Sequence, residues 1–66
     1  MSVLQRPAPY TPEQALRAGL GVFVAERELG RFPPEAQIAA WNRLDPLAQK
    51  AYVARGAGIL QEAFGR

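Results

Sequence analysis

Three prolines divide the sequence into segments that can each form a helix. Pro12, Pro34 and Pro46 each stand at the head of a helix-forming stretch. Proline is favoured at the first position of a helix because its missing N–H would have no partner there, and it biases the preceding residue toward extended backbone. The pattern therefore predicts an all-α fold, a compact three-helix domain with helices at about 12–29, 34–44 and 46–63.

The residues around these prolines supply further start and stop signals. Thr11 and Gln14 have the spacing of a capping box, in which each side chain bonds the backbone N–H of the other residue. Asp45 is suited to cap the third helix, whose first residue is Pro46. We expect Gly30 to end the first helix in left-handed backbone, which glycine adopts without steric cost.

Apolar residues recur at helical spacing and predict one buried face in each helix. In the first helix, Leu16, Leu20 and Phe23 follow the i, i+4, i+7 pattern. In the second helix, the buried face is predicted to centre on Trp41. The full predicted core is Leu16, Leu20, Phe23, Ile38, Trp41, Leu44, Tyr52 and Ile59.

Four glycines lie inside the predicted helices, where each costs about 1 kcal/mol relative to alanine. We expect the close approach of another helix to compensate for Gly19 and Gly21. Gly56 and Gly58 indicate a bend, fraying or close packing in the third helix.

The length of 66 residues is enough for one domain only. Pro7 and Pro9 favour extended backbone, so residues 1–10 are predicted to form a flexible, extended N-terminal arm and residues 11–66 a single three-helix domain. A chain of this size buries only about 60% of the surface that its unfolded form exposes. Since it has no Cys, its stability must come from helix packing, self-association or a partner.

The residue types available argue against catalysis. The sequence has no Cys and no His, so the usual nucleophile and base pairs cannot be assembled and a zinc site lacks its usual ligands. The six Asp and Glu residues are scattered, and Glu26 and Glu28 point in different directions on a helix, as solvated surface carboxylates do. We therefore predict no enzyme activity, no catalytic residue, no metal, no cofactor and no small-molecule substrate.

The apolar residues are too dispersed for a membrane protein. No apolar run approaches 18 residues, and the first residues lack the apolar stretch of a signal peptide. We expect no membrane association and a cytoplasmic location, in keeping with the absence of Cys.

The charged residues suggest a binding surface. The formal net charge is +2, with seven Arg and one Lys against six acidic residues. This mild excess is compatible with DNA or an acidic protein surface and selects neither. Aromatic side chains beside arginines are typical of recognition sites. The candidate binding residues are Arg6, Tyr10, Arg27, Arg31, Phe32, Arg43 and Lys50.

One spacing of residues joins the second and third predicted helices. It comprises Ile38-x-x-Trp41-x-x-Leu44 followed by Lys50-Ala51-Tyr52, and Phe23-Val24-Ala25-Glu26 precedes it in the first helix. Over residues 21–64 this pattern resembles the high-mobility-group (HMG) box, with a second helix shorter than in a typical box. The resemblance implies an L-shaped three-helix fold that binds double-stranded DNA in the minor groove and bends it with inserted apolar side chains.

Two functional hypotheses follow. The first is a small non-enzymatic protein-binding module: an inhibitor, an adaptor or a self-associating domain. The small size of the chain and its lack of Cys and His are also typical of phage or mobile-element proteins that block a host factor. The alternative is an HMG-box-like DNA-binding module, whose affinity should be weak and sensitive to salt because the net charge of +2 neutralises few phosphates.

Overall fold

The structure, a computed structural model, describes residues 10–64. Three helices account for most of this range and no strand occurs within it. The helices are α1 (Pro12–Glu26), α2 (Pro34–Asn42) and α3 (Pro46–Phe64). The all-α, three-helix prediction is confirmed. The predicted N-terminal arm lies outside the described residues, apart from Tyr10.

The side-chain caps predicted at the starts of α1 and α3 are both formed. The backbone N–H of Gln14 donates to Thr11 Oγ1 at 3.1 Å, and that of Thr11 donates to Gln14 Oε1 at 2.7 Å. At the start of α3, Asp45 Oδ1 accepts from the N–H groups of Leu47 (2.8 Å) and Ala48 (3.0 Å). These bonds satisfy donors that have no partner within the helix, so each start is fixed locally.

The end of α1 differs from the prediction. The helix stops at Glu26 rather than at residue 29, and the left-handed residue is Glu28, with φ of 55°, rather than Gly30. The N–H of Leu29 donates to the carbonyl of Val24 at 2.8 Å, and that of Glu28 to Ala25 at 3.2 Å. This is a Schellman motif. The turn therefore places a non-glycine residue where glycine is usual.

The segment between α1 and α2 is held by one side chain. Gln37 Nε2 donates to the carbonyls of Leu29 (3.0 Å) and Phe32 (2.9 Å). At its other end, α2 stops at Asn42 rather than at residue 44, because the N–H of Leu44 turns back to the carbonyl of Trp41. The short i to i+3 bond tightens the last turn and directs the chain into α3.

The helices α1 and α3 form a close antiparallel pair, and glycine permits the approach. Gly56 lies against Ala18 and Gly19, whereas Tyr52, one turn earlier in α3, reaches Phe23, one turn later in α1. A Cβ atom on Gly19 would lie 2.7 Å from the Cα of Val53. The expected compensation by close packing is therefore confirmed for Gly19.

Among the other glycines, only Gly56 shows the close packing that was predicted. No atom lies within 4 Å of a Cβ placed on Gly21 or on Gly58, so neither position is required by packing. Helix α3 is unbroken from Pro46 to Phe64, so the fraying expected at Gly56 and Gly58 is not seen. Of the pair in α3, only Gly56 is buried against another helix.

Three aromatic rings, one from each helix, form the core. The ring centroid of Phe23 lies 5.5 Å from that of Trp41 and 5.4 Å from that of Tyr52, both in edge-to-face arrangement. Phe23 is 2% exposed, and Trp41 and Tyr52 are also buried. Leu20 and Leu44 are half-buried against this cluster. These five core assignments agree with the structure.

Three predicted core residues are wrong, since Leu16, Ile38 and Ile59 are all about half exposed. In α1, the buried line runs through Ala15, Gly19 and Phe23, which turns Leu16 to the edge. Ile59 has the spacing of the buried face of α3, at i+7 from Tyr52, but it does not pack against the aromatic cluster. Helix α2 meets the core through its last turn only, so Ile38 extends beyond it.

Candidate functional site

An open groove runs along one side of the α1–α3 pair. Its volume is about 480 Å³, and six of its eight lining residues are apolar or alanine. We call it the apolar groove; its lining is Leu16, Trp41, Pro46, Gln49, Lys50, Val53, Ala54 and Ala57.

The sequence builds this groove through the size of its side chains. In α3, the lining residues recur at intervals of three and four, so they form one face of the helix. Leu16 forms the opposite wall because α3 packs on the small residues of α1 instead of on Leu16. Ala54 and Ala57 are too short to fill the space between. The groove therefore exposes apolar surface to solvent.

The rim of the apolar groove is partly polar. Gln49 is half-buried there, and its Nε2 donates to the carbonyl of Trp41 at 2.8 Å, which joins the start of α3 to the end of α2. Lys50 is exposed beside it. Two large apolar residues of α3, Leu47 (78% exposed) and Phe64 (57% exposed), lie outside the groove toward either end of the helix.

A second groove, of about 410 Å³, lies between the ends of α1 and α2. We call it the basic groove, because two of its six lining residues are arginines; the lining is Phe23, Arg27, Leu29, Ala40, Arg43 and Leu44. The guanidinium of Arg27 lies 5.5 Å from the ring centroid of Phe23, within the range of a cation–π interaction.

The structure separates the predicted binding residues into groups. It brings together only Arg27 and Arg43, in the basic groove, and it places Lys50 in the apolar groove. Arg31 and Phe32 are exposed between α1 and α2, and Tyr10 is half-buried before α1. Arg6 lies outside the described residues. The predicted residues do not all line one groove.

A polar cluster links α1 to α3 near the aromatic core. The hydroxyl of Tyr52 donates to Glu26 Oε1, and Arg55 Nη1 donates to Glu26 Oε2 at 3.1 Å. These two hydrogen bonds lower the pKa of Glu26 below its usual value. Glu26 is exposed, as expected of a surface carboxylate, but the expectation that it is only solvated is wrong, because it bonds the other helix.

Several residues of the apolar groove were missed by the sequence predictions, although Lys50 was among the candidate binding residues. Pro46, Val53, Ala54 and Ala57 were not among the candidate binding residues. The signal that could have found them is the regular three-and-four spacing on α3, outside the predicted core.

Within residues 10–64, no three acidic side chains come together as metal ligands would. None of the helices in that range has both the length and the apolar character needed to cross a membrane.

The chain matches no protein-family model, no curated protein and no solved structure.

Proposed function

We propose that this chain is a non-enzymatic protein-binding module that uses the apolar groove as its recognition site. The observation that carries the proposal is a solvent-open groove of about 480 Å³ walled by Leu16, Trp41 and Val53. Burial of apolar surface is the main favourable term in protein association, at roughly 25 cal/mol per Å². The apolar groove offers such surface.

The composition of the apolar groove fits a protein partner. Interfaces combine an apolar centre with a polar rim, and aromatic anchors are enriched in them. Here Leu16 and Val53 supply the apolar centre, Trp41, which is 8% exposed, adds a small aromatic area, and Gln49 and Lys50 supply the rim. An inhibitor, an adaptor and a self-associating domain would all use the groove in this way. The proposal places the module in the cytoplasm, and its origin in a phage or mobile element stays a prediction.

Capture from a lysate of the source organism tests the proposal. The lysate is treated with nuclease, so that retention through nucleic acid is removed. Ala54→Arg places a long charged side chain at the exposed edge of the apolar groove, and Ala39→Arg makes the same change on α2, away from both grooves. Proteins retained by the unaltered chain and by Ala39→Arg should be lost with Ala54→Arg. Retention that is equal in all three chains, together with an unaltered chain that does not self-associate, would contradict the proposal.

DNA binding is the alternative, and the basic groove favours it. Arg27 and Arg43 come together there, at the junction of α1 and α2, and the HMG-box resemblance points to the same ligand. Two arginines neutralise few phosphates, so binding should be weak and a moderate rise in salt should abolish it. This alternative places the contact on a different surface from the apolar groove.

A gel-shift titration of duplex DNA distinguishes the two functions. The alternative predicts a shift that is lost in the Arg27→Ala/Arg43→Ala variant and kept in Arg17→Ala, which removes an arginine that lines neither of these grooves. Ala54→Arg should leave or strengthen the shift, since it adds positive charge. Absence of any shift at about 10⁻⁴ M protein and low salt would exclude the alternative.

A further inference from the structure

The residues on the outer face of α3 form a series whose spacing and residue types are symmetric about its centre. Six residues follow one another at intervals of three, four, three, four and three, the spacing of the contact positions in a coiled coil. All six are exposed or half-buried in the chain alone. In order they are Leu47, Lys50, Ala54, Ala57, Gln61 and Phe64.

We propose that the occupant of the apolar groove is a second copy of this chain, with the two α3 helices antiparallel. A twofold axis then passes between Ala54 and Ala57, so that Ala54 of each copy opposes Ala57 of the other. The same register sets Lys50 against Gln61 and Leu47 against Phe64. Large apolar residues thus oppose large apolar residues, polar residues oppose polar residues, and small residues oppose small residues. This inference rests on the proposed function and names its partner.

The charge on this face decides the orientation. In a parallel pair, Lys50 of one copy would lie directly against Lys50 of the other, and like charges in contact repel. In the antiparallel pair, the two Lys50 positions are separated by 11 residues, about 16 Å along the helix. Each ammonium group then faces a Gln61 side chain, whose amide oxygen accepts a hydrogen bond.

The exposed apolar residues fit the same arrangement. Leu47 is 78% exposed and Phe64 57% exposed, and the register covers both at once. Ala54 and Ala57, at the centre, allow the helices to approach closely. Leu16 and Val53 border this face on the side of α1 and extend its apolar area. A small domain gains stability from such association, because the partner binds only the folded form.

Disulfide exchange between marked chains tests both the partner and the orientation, since the natural sequence has no Cys. Lys50→Cys and Gln61→Cys chains are mixed in equal amounts in a glutathione buffer, and the disulfide-linked dimers are separated by mass. Both changes leave Leu47, Phe64 and the central alanines in place, and the Gln61→Cys chain keeps Lys50, so its like-with-like disulfide reports the orientation with that charge present. The proposal predicts that the mixed 50–61 disulfide exceeds its share under random pairing, because it alone joins opposed positions.

The matched control mixes Glu13→Cys, on α1, with Gln61→Cys and should give random pairing. Random pairing of the Lys50→Cys and Gln61→Cys chains, or an excess of the two like-with-like disulfides, would overturn the second copy as occupant in this orientation. The proposed function is judged separately. If capture from lysate still depends on Ala54 while these chains pair at random, the module binds a different protein; if both fail, the proposed function fails as well.

Discussion

Gly19 of α1 packs directly against Gly56 of α3, and the absence of a side chain at both positions allows the two longest helices to come into contact. A Cβ atom on Gly19 would lie 2.7 Å from the Cα of Val53 and 2.8 Å from the carbonyl oxygen of Tyr52. Both neighbours are backbone atoms, so no side-chain rotation relieves the overlap. A larger residue must push the helices apart, and this would also loosen the contact between Phe23 and Tyr52.

Gly19→Ala should therefore destabilise the fold, although alanine is the better helix former. Alanine gains about 1 kcal/mol in helix propensity. We expect the overlap to outweigh this gain, since overpacking typically costs about 1–3 kcal/mol even where side chains can adjust. Urea unfolding of the purified chain measures the difference. Gly21→Ala is the control: its Cβ meets no atom within 4 Å, so it should stabilise the helix by about 0.5–1 kcal/mol. Equal effects at the two glycines would contradict the close-packing account.

Phe23→Ala should cost about 3–5 kcal/mol, because it removes the ring that contacts both Trp41 and Tyr52. That is a large part of the 5–15 kcal/mol of stability that is usual for proteins. Trp41 is the only tryptophan, so its fluorescence reports unfolding directly. The matched variant Phe32→Ala removes an aromatic ring that is 47% exposed and should change stability by less than about 1 kcal/mol. A folded Phe23→Ala chain with the melting temperature of the unaltered protein would refute the aromatic core.

The Glu26 carboxylate should make stability depend on acid pH. Hydrogen bonds from Tyr52 and Arg55 lower its pKa in the folded state, so the contribution is present above the unfolded pKa, about 4.3. It is lost as the pH falls through the lower folded value, when the carboxylate takes up a proton. Glu26→Gln keeps an acceptor oxygen but cannot titrate, and thermal melting between about pH 5 and 2 should show a flatter curve for it. Glu62→Gln, at an exposed site of α3, serves as the control. If Glu26→Gln melted with the pH dependence of the unaltered chain, the interhelical role of Glu26 would be refuted.

Glu28→Gly should stabilise the protein modestly. Left-handed backbone costs roughly 1–2 kcal/mol for a residue with a Cβ, and glycine relieves this while giving back part of the gain through greater freedom in the unfolded chain. We therefore expect a net gain of up to about 1 kcal/mol, measured by urea unfolding. Gly30→Ala is the companion variant. Gly30 does not have positive φ, and a Cβ there meets nothing within 4 Å, so alanine should be tolerated at this position. A destabilised Glu28→Gly chain would contradict this account of the turn.

The parts of the fold that could be predicted are those fixed by neighbouring residues. The starts of α1 and α3 depend on Thr11, Gln14 and Asp45, each of which bonds backbone within three residues of itself. The aromatic core was also predictable, because its three rings fall on apolar faces. By contrast, nothing in the identity of Glu28 marks it as left-handed, since its conformation is set by the turn and not by the residue.

The unpredicted parts depend on which faces meet. Apolar periodicity favours large residues and so selected Leu16 for the core, whereas close packing of α1 on α3 favours Ala15 and Gly19. The meeting of Arg27 with Arg43 depends on how α2 is placed against α1, which sequence spacing does not encode. The apolar groove follows from the same helix pairing. Only its α3 wall could be predicted from the sequence, because Lys50, Ala54 and Ala57 recur at intervals of four and three.

Sedimentation equilibrium measures the central claim, that the apolar groove and the outer face of α3 bind a second copy. The unaltered chain and Ala39→Arg should show an apparent mass that rises from 7.2 kDa toward twice that value as the concentration increases. Ala54→Arg should stay at the mass of one chain, because its charged side chain falls beside the twofold axis. An unaltered chain that remains at 7.2 kDa up to about 1 mM would contradict the account.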